Sequence, residues 1–418
     1  MSEKIFGLLG RKLAHSYSAP IHRELGIENY SLIELEPDEL ETFMRREDIG
    51  ALNVTIPYKR DALKICDWVS DEAREVGSVN TVVRSSDGRL YGYNTDVYGF
   101  LYMADRANID FHGKKTVIFG SGGASLTAVY AATLRGASEV IVISRNGENN
   151  YKNLHLHSDA EVIVNATPVG MYPETSASPA SLGLFPKCVG VLDMIYNPVR
   201  TVLLIEAEKR EIPYSNGLPM LVAQAKATEE FFFDRAFPDS EIPRITSALL
   251  RETVNIVLIG MPGCGKTTVG TILADMMGRE LIDIDAEIVK DTGMTIPEIF
   301  EKYGEGYFRE LEKAKTAEIG RMHGVIISTG GGVVKDPSNY PSLHGNGFIV
   351  HLERELGQLD RGGRPLSAGA DLTKMYEERL PMYTAFRDAV CNNSGTARET
   401  AEEILRQYYG YLDCHIGG

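Results

Sequence analysis

The stretch "TVIFGSGGASLTAVYAATLRGASEVIVISRN", residues 116–146, reads strand, glycine turn, small-residue helix, strand. Short β-branched runs alternating with helix-like segments are the rhythm of a parallel sheet with crossover helices, so the chain is α/β. Gly120, Gly122 and Gly123, with Ser121 and Ala124 beside them, would let the backbone approach a pyrophosphate at the helix N-terminus. The second strand ends in Ser144 and Arg145, with no acid. An acid there suits a ribose 2′-hydroxyl and an arginine suits a 2′-phosphate, which favours NADP(H). The alternative is that Arg145 is only a solvated strand-end charge.

The same rhythm continues through "EVIVN" (161–165) and "VGVLDM" (189–194), then starts again at "VNIVLIGMPGCGKTT", residues 254–268. "GMPGCGKT" fits the eight-position phosphate-loop pattern between a strand and a helix. Backbone N–H groups of Gly263, Cys264, Gly265 and Thr268 would cradle phosphates, Lys266 would bridge the terminal ones, and the Thr267 hydroxyl would ligate Mg²⁺. The loop indicates ATP-type chemistry without naming the acceptor. Between the two series, "DRAFPDSEIPRITSALLRET" (234–253) carries Pro238 and Pro243 and reads as polar, without core periodicity. It places a junction near residues 240–252.

With 418 residues the chain has room for two or three compact units, and 43% apolar with 24% charged residues is ordinary for a globular protein. A net charge of −15 argues against nucleic-acid and anionic-membrane partners, so an anionic substrate must be held by locally placed Lys and Arg. The five cysteines, Cys66, Cys188, Cys264, Cys391 and Cys414, have neither disulfide nor metal spacing. No signal-peptide pattern opens the chain and no apolar run is of membrane-spanning length, so a cytoplasmic protein is expected. Nothing in the sequence indicates an oligomeric state.

Residues 1–250 carry "HSYSAPIH", "NVTIPYK", "GSVNTVV", "YNTDVYGF", "FGSGGAS", "VNATPVGM", "DMIYNP" and "NGLPMLVAQA" in order. In these blocks the segment resembles shikimate dehydrogenase. The resemblance implies a substrate domain at 1–102, completed by 218–245, and an NADP-binding Rossmann domain at 103–217. It also implies that Lys59 and Asp96 are the catalytic pair. A cationic Lys beside a carbonyl oxygen stabilises the charge left by hydride addition, and a carboxylate orients it. By the same matching Ser16 and Ser18 hold the substrate carboxylate; Thr55, Asn80, Asp96, Tyr196 and Gln224 contact the ring or its hydroxyls; Met194 and Gly217 line the nicotinamide side. Ser16 and Ser18 suit a turn or helix cap equally well. The chain departs from the family at Ala19, which separates the second Ser from Pro20, and at Pro219. The stretch from "SRNG" to "VIVNATP" is also short, which implies a lost helix beside the adenosine end.

Residues 253–418 carry "LIDIDAEI", "MTIPEIFEKYGEGYFRELE", "ISTGGGVV", "GGRPLS" and "YEERLPMY" after the phosphate loop. In that order they resemble shikimate kinase. The resemblance implies that Asp283 supports Mg²⁺ through water, Asp285 binds the acceptor hydroxyl as orienting group or base, and Arg309 and Arg379 clamp the substrate carboxylate. Glu312 and the backbone of Gly330, Gly331 and Gly332 complete the pocket, and Arg364 in a closing lid reaches the phosphates. Arg309 and Glu312 share a helix face, and a surface salt bridge is their ordinary alternative.

The expected whole is a bifunctional enzyme that reduces 3-dehydroshikimate to shikimate with NADPH, then phosphorylates shikimate with ATP and Mg²⁺. A quinate or NAD preference in the first half is a second reading. A third is a pathway regulator that keeps both folds as binding modules. The regulator predicts damage at Lys59, Asp96, Lys266, Thr267, Asp285 or Arg309, and all six are present. Only Gly362 and Gly363 separate Arg361 from Arg364, a short lid that would exclude water incompletely. Modest ATP hydrolysis without acceptor is therefore expected in a phosphate-release assay; none above background would remove that expectation.

Overall fold

Three sheets organise the chain in the computed structural model, which describes residues 4–13, 16–359 and 372–413. The first is mixed. It contains β1 (Ile5–Gly10), β2 (Tyr30–Glu34), β3 (Ile49–Val54), β4 (Trp68–Val69), β5 (Thr81–Arg84) and β6 (Leu90–Tyr93), ordered β2-β1-β3-β5-β6-β4. β1 runs parallel to β2 and β3, whereas β5 is antiparallel to both β3 and β6.

The second sheet is parallel throughout: β7 (Lys115–Phe119), β8 (Glu139–Ile143), β9 (Val162–Asn165), β10 (Gly190–Asp193) and β11 (Tyr214–Ser215), ordered β11-β10-β9-β7-β8. The third has the same character, with β12 (Asn255–Ile259), β13 (Leu281–Asp283), β14 (Ile326–Ser328), β15 (Gly347–Glu353) and β16 (Ala389–Asn392) ordered β13-β14-β12-β15-β16. Strands covered on both faces read as unbroken apolar runs, and β12, "NIVLI", is buried at all five positions. In both parallel sheets the chain first moves to one side of the opening strand and later to the other. The crevice beyond the carboxyl end of such a strand is where ligands bind in open α/β sheets, and the two glycine turns follow β7 and β12.

The described chain divides into two compact units. One is Met1–Val169, Ser178–Tyr196 and Leu203–Thr246; the other is Gly170–Ala177, Asn197–Val202 and Ser247–Gly418. Within the second, the Val199 N–H donates to Asn346 Oδ1 at 3.0 Å and the Arg200 N–H to Gly345 O at 2.8 Å. The lid residues Arg361 and Arg364, together with Cys414, lie outside the described residues. No helix among the described residues is long and apolar enough to cross a membrane.

The boundary between the two units falls at Thr246 and Ser247, but the stretch read as polar and without core periodicity forms a helix there, Glu241–Thr253. Ile242, Ile245, Leu249 and Leu250 are buried, at i, i+3, i+7 and i+8. That is a helical core stripe, hidden in the sequence by Pro243 and Arg244 between its members. Pro243 falls in the first turn, where its missing N–H costs no hydrogen bond. Between β8 and β9 the chain makes only a 3-10 turn at Leu154–His157, as the shortened segment implies. The last helix, Ala397–Tyr411, opens with the expected capping box of Thr396 and Glu399. Because Ile245 is fully buried, Ile245→Ala is expected to cost about 2–5 kcal/mol. A thermal-unfolding midpoint equal to that of the wild type would show that the helix is linker, not core.

Candidate functional site

Lys59 opens the helix Lys59–Ile65 after β3, and Asp96 opens the helix Asp96–Arg106 after β6. Although 37 positions apart, Lys59 Nζ donates to Asp96 Oδ2 at 2.5 Å. The other carboxylate oxygen, Oδ1, accepts from Asn80 Nδ2 at 2.9 Å, and Asn94 Oδ1 caps the Asp96 N–H at 3.0 Å. Asn80 is itself aimed by the Thr95 N–H, which donates to its Oδ1 at 2.8 Å. Beneath lies a buried hydroxyl hub: Thr228 Oγ1 lies 3.0 Å from Thr81 Oγ1, 3.1 Å from Thr95 Oγ1 and 3.0 Å from Asn53 Nδ2. Gln224 Oε1 stands 3.5 Å from Asn80 Nδ2. The sequence reading missed this supporting layer. Asn53, Thr81 and Thr95 lie within or beside the quoted motifs, but Thr228 carried no local signal.

The pair faces the first glycine turn, because Lys59 Cδ is 3.9 Å from where a Cβ on Gly123 would stand. Gly120 has φ +112 and a Cβ there would press on the Ala166 carbonyl, whereas Gly122 would meet nothing within 4 Å. The first glycine is thus required by backbone strain and packing, and the second leaves open the space a pyrophosphate needs. Ser121 is exposed in this turn, and Ala124 lies in the first turn of the helix Gly123–Leu134. Ser144 and the exposed Arg145 follow β8 on the neighbouring strand. These residues fit a dinucleotide.

Thr55 lies against Gly10, joining the carboxyl ends of β3 and β1. Ser16 Oγ accepts the Ser18 N–H at 3.2 Å, so the turn role is present whatever else the two serines bind. Tyr196 packs on Tyr17 with ring centroids 5.2 Å apart, and burial, then the neighbouring Tyr196, pushes the Tyr17 hydroxyl up to about 12. Gly217 meets the Met194 carbonyl so closely that any side chain there would collide. Among the described residues no hydrogen bond joins Ser16 or Ser18 to the Lys59–Asp96 pair.

The second glycine loop opens a cavity of about 480 Å³. Gly263, Gly265, Lys266, Thr267, Thr268, Asp283, Asp285, Arg309, Glu312, Gly330, Gly331, Gly332 and Arg379 all line it. Cys264 does not: the residue is fully buried, its N–H donating to Met261 O at 3.2 Å and its carbonyl accepting from Asn393 Nδ2 at 2.7 Å. Lys266 Nζ donates to Gly260 O at 2.9 Å and Met261 O at 3.1 Å. Thr267 and Ser328 hydroxyls each donate to Asp283 Oδ2 at 3.0 Å, while Asp283 Oδ1 caps the helix Ile284–Thr292. Ser328, which sequence reading passed over, completes an oxygen set suited to Mg²⁺. Among the described residues no three His, Cys, Asp or Glu side chains could hold a metal together. Such an ion would therefore take its other oxygens from phosphate and water, as Mg²⁺ commonly does.

In the same cavity, Asp285 Oδ1 and Glu312 Oε1 are buried without hydrogen-bond partners. Both point at Gly330, where a Cβ would come within 2.8 and 2.7 Å of them. Arg309 Nη1 donates to Glu312 Oε2 at 2.6 Å and its Nη2 to Glu305 Oε1 at 2.9 Å. The Lys335 and Arg309 hydrogen bonds hold Glu305 down to about 2. Arg379 Nη1 and the Tyr383 hydroxyl both donate to Gly331 O, at 2.9 and 2.6 Å. Burial, then the charges of Asp283 and Glu312, raises Asp285 to about 6. The cavity thus sets two carboxylate oxygens that can accept hydrogen bonds beside two guanidinium groups that can donate them.

Two nucleotide-binding turns in separate parallel sheets, each beside a set of polar groups for a small anion, define a two-unit α/β enzyme. Over its N-terminal part the chain belongs to the shikimate dehydrogenase family. Residues 8–82 match the family described as "Shikimate dehydrogenase substrate binding domain", and residues 262–409 match "Shikimate kinase". The chain is 37% identical over 260 residues to the shikimate dehydrogenase (NADP(+)) of Caldicellulosiruptor bescii, covering 56% of this chain and 90% of that relative. Among solved structures it is similar to a chorismate mutase/shikimate 5-dehydrogenase fusion protein from Clostridium acetobutylicum, at TM-score 0.57 and 34% identity, over 60% of this chain and 98% of that one. It is also similar to shikimate 5-dehydrogenase from Thermus thermophilus in complex with NADP(H) and shikimate, at TM-score 0.53 and 32% identity, over 58% of this chain and 98% of that one.

Asp285, whose folded pKa exceeds its unfolded value, favours the folded state at low pH, and this contribution is lost as pH rises through about 6. Asp285→Asn is therefore expected to unfold at a higher temperature than the wild type at pH 7, with the gap shrinking toward pH 5. A gap that is absent, or that grows on acidification, would refute the burial argument.

Proposed function

We propose that the N-terminal unit reduces 3-dehydroshikimate to shikimate with NADPH, and that the P-loop unit transfers the terminal phosphoryl group of ATP to shikimate, giving shikimate 3-phosphate. One observation carries the reading: a single chain holds a Lys59–Asp96 pair against a dinucleotide turn and a separate phosphate-loop cavity whose acceptor end suits the same class of acid. The Caldicellulosiruptor bescii relative's name and the Thermus thermophilus complex support NADP(H).

In the first unit Gly120, Ser121, Gly122, Gly123 and Ala124 would hold the pyrophosphate, with Ser144 and Arg145 at the 2′-phosphate and Met194 and Gly217 at the nicotinamide. The dinucleotide supplies a hydride when bound. Lys59 Nζ supplies the proton to the ketone oxygen, and Asp96, fixed by Asn80, keeps the ammonium aimed there. Ser16 and Ser18 bind the carboxylate; Thr55, Asn80, Tyr196 and Gln224 bind the ring.

In the second unit Gly263, Cys264, Gly265 and Thr268 supply backbone N–H groups, with the Cys264 N–H and the Lys266 ammonium leaving their loop carbonyls to meet phosphate oxygens. Mg²⁺, held through Thr267 and Asp283, would offset phosphate charge. Asp285 aligns the acceptor hydroxyl and takes its proton, while Arg309 and Arg379 clamp the carboxylate beside Glu312, Gly331 and Gly332. A carboxyl near 6 is ionised at neutral pH, as that role requires.

A coupled assay starting from 3-dehydroshikimate tests both halves, following cofactor oxidation with NADPH or NADH and ADP release. Lys59→Ala is expected to lower reduction by about 10²-fold or more while sparing phosphorylation of added shikimate. Lys266→Ala is expected to do the reverse. If each variant keeps both activities, the assignment of both sites is wrong.

A further inference from the structure

Among the described residues four cations line the phosphate-loop cavity: Lys266, Arg309, Arg354 and Arg379. Three are already engaged by the protein. Lys266 donates to Gly260 and Met261 carbonyls, Arg309 lies between Glu305 and Glu312, and Arg379 donates to Gly331 O. Arg354 differs, because no described residue accepts a hydrogen bond from it or pairs with it, and its Nε is buried without a partner. The neighbouring carboxylates turn elsewhere. Glu353 Oε1 is 3.6 Å from Arg387 Nη1, and Glu355 Oε2 accepts from Gln358 Nε2 at 3.2 Å.

Its position supplies a reason. Arg354 is the first residue after β15, and β15 lies directly beside β12, with His351 opposite Ile259. The strand end therefore delivers the guanidinium to the phosphate loop. Arg354 Nη1 is 3.9 Å from where a Cβ on Gly265 would stand, at the N-cap of the helix Lys266–Met277. A buried donor without an acceptor is rare in folded proteins. A planar guanidinium beside a helix N-terminus matches the oxygens of a phosphate chain in geometry and charge.

We propose that Arg354 binds the phosphate chain of the nucleotide in this cavity, where it holds phosphates next to the Gly265 N–H. The inference rests on the kinase reading of the P-loop unit. Contact with the diphosphate portion common to ATP and ADP makes Arg354 a binding residue, not a source of acceptor selectivity.

The test uses the full chain carrying Arg354→Gln, Arg354→Lys or Lys266→Ala, with ATP, ADP, AMP and adenosine titrated by calorimetry and the KM for each substrate measured. Arg354→Gln is expected to weaken ADP and ATP by about tenfold or more, AMP by less and adenosine not at all. KM for ATP rises, and KM for shikimate stays unchanged. Arg354→Lys, which keeps the charge and loses the fork, recovers part of the affinity and keeps the test open if the Gln variant does not fold. Unchanged ADP affinity in a folded variant overturns the proposal, as does an equal loss for ADP and adenosine, which would mark a base contact. If Lys266→Ala also leaves ADP binding and phosphorylation intact, the kinase reading falls with it. If Lys266→Ala abolishes them while Arg354→Gln changes nothing, only the role of Arg354 is lost.

Discussion

An acidic chain that must hold anions has one economical device, the end of a parallel strand that turns directly into a helix. The free N–H groups of the first helical turn point out of the sheet, and the helix dipole adds partial positive charge without any side chain. β7 and β12 both end this way, each at the place where its sheet reverses direction. With a net charge of −15, the remaining cations have to be placed singly, and Lys59, Lys266, Arg309, Arg354 and Arg379 are spread over different elements accordingly.

Carboxylates also shape both sites. In the first unit Asp96 has its two oxygens taken by Lys59 and Asn80, and a buried network of hydroxyls fixes Asn80 in turn. In the second, Asp285 and Glu312 keep one oxygen each without a partner, and Asp285 carries a raised pKa from burial and from the acids around it. The first arrangement is saturated and rigid; the second holds unmet hydrogen-bonding capacity that donors entering the cavity can relieve. Glycine at 330 follows from this crowding, since a side chain there would strike both orphaned oxygens.

The fold was legible because its signals are local. The run "TVIFGSGGAS" carries its strand, turn and helix start in one piece, as does "NIVLIGMPGCGKTT", and continuous apolar strands of a parallel sheet are hard to mistake. The helix Glu241–Thr253 escaped notice because Pro243, Arg244 and Arg251 dominate the segment, whereas its four buried aliphatics show only when counted at helical spacing. At the sites, motif-bearing residues such as Lys59, Asp96, Asp285 and Arg309 could be picked out one by one. Thr228, Ser328, Glu305 and Arg354 could not, even though Ser328 and Glu305 fall inside quoted blocks, because a lone hydroxyl, carboxylate or guanidinium has no signature until its neighbours are known.

By itself the sequence determined the α/β class, the two glycine turns and the residue types available beside them, since each depends on chemistry within a few positions. Tertiary structure alone decided which of these meet. It brought Lys59 within 2.5 Å of Asp96, turned Asp285 and Glu312 onto one glycine, took the Cys264 side chain out of the cavity and set Arg354 against the phosphate loop. The physical reason is strand order. Residues distant in the chain become neighbours only when their strands lie side by side in a sheet, and that pairing is chosen by the burial of whole faces, to which no short motif has access.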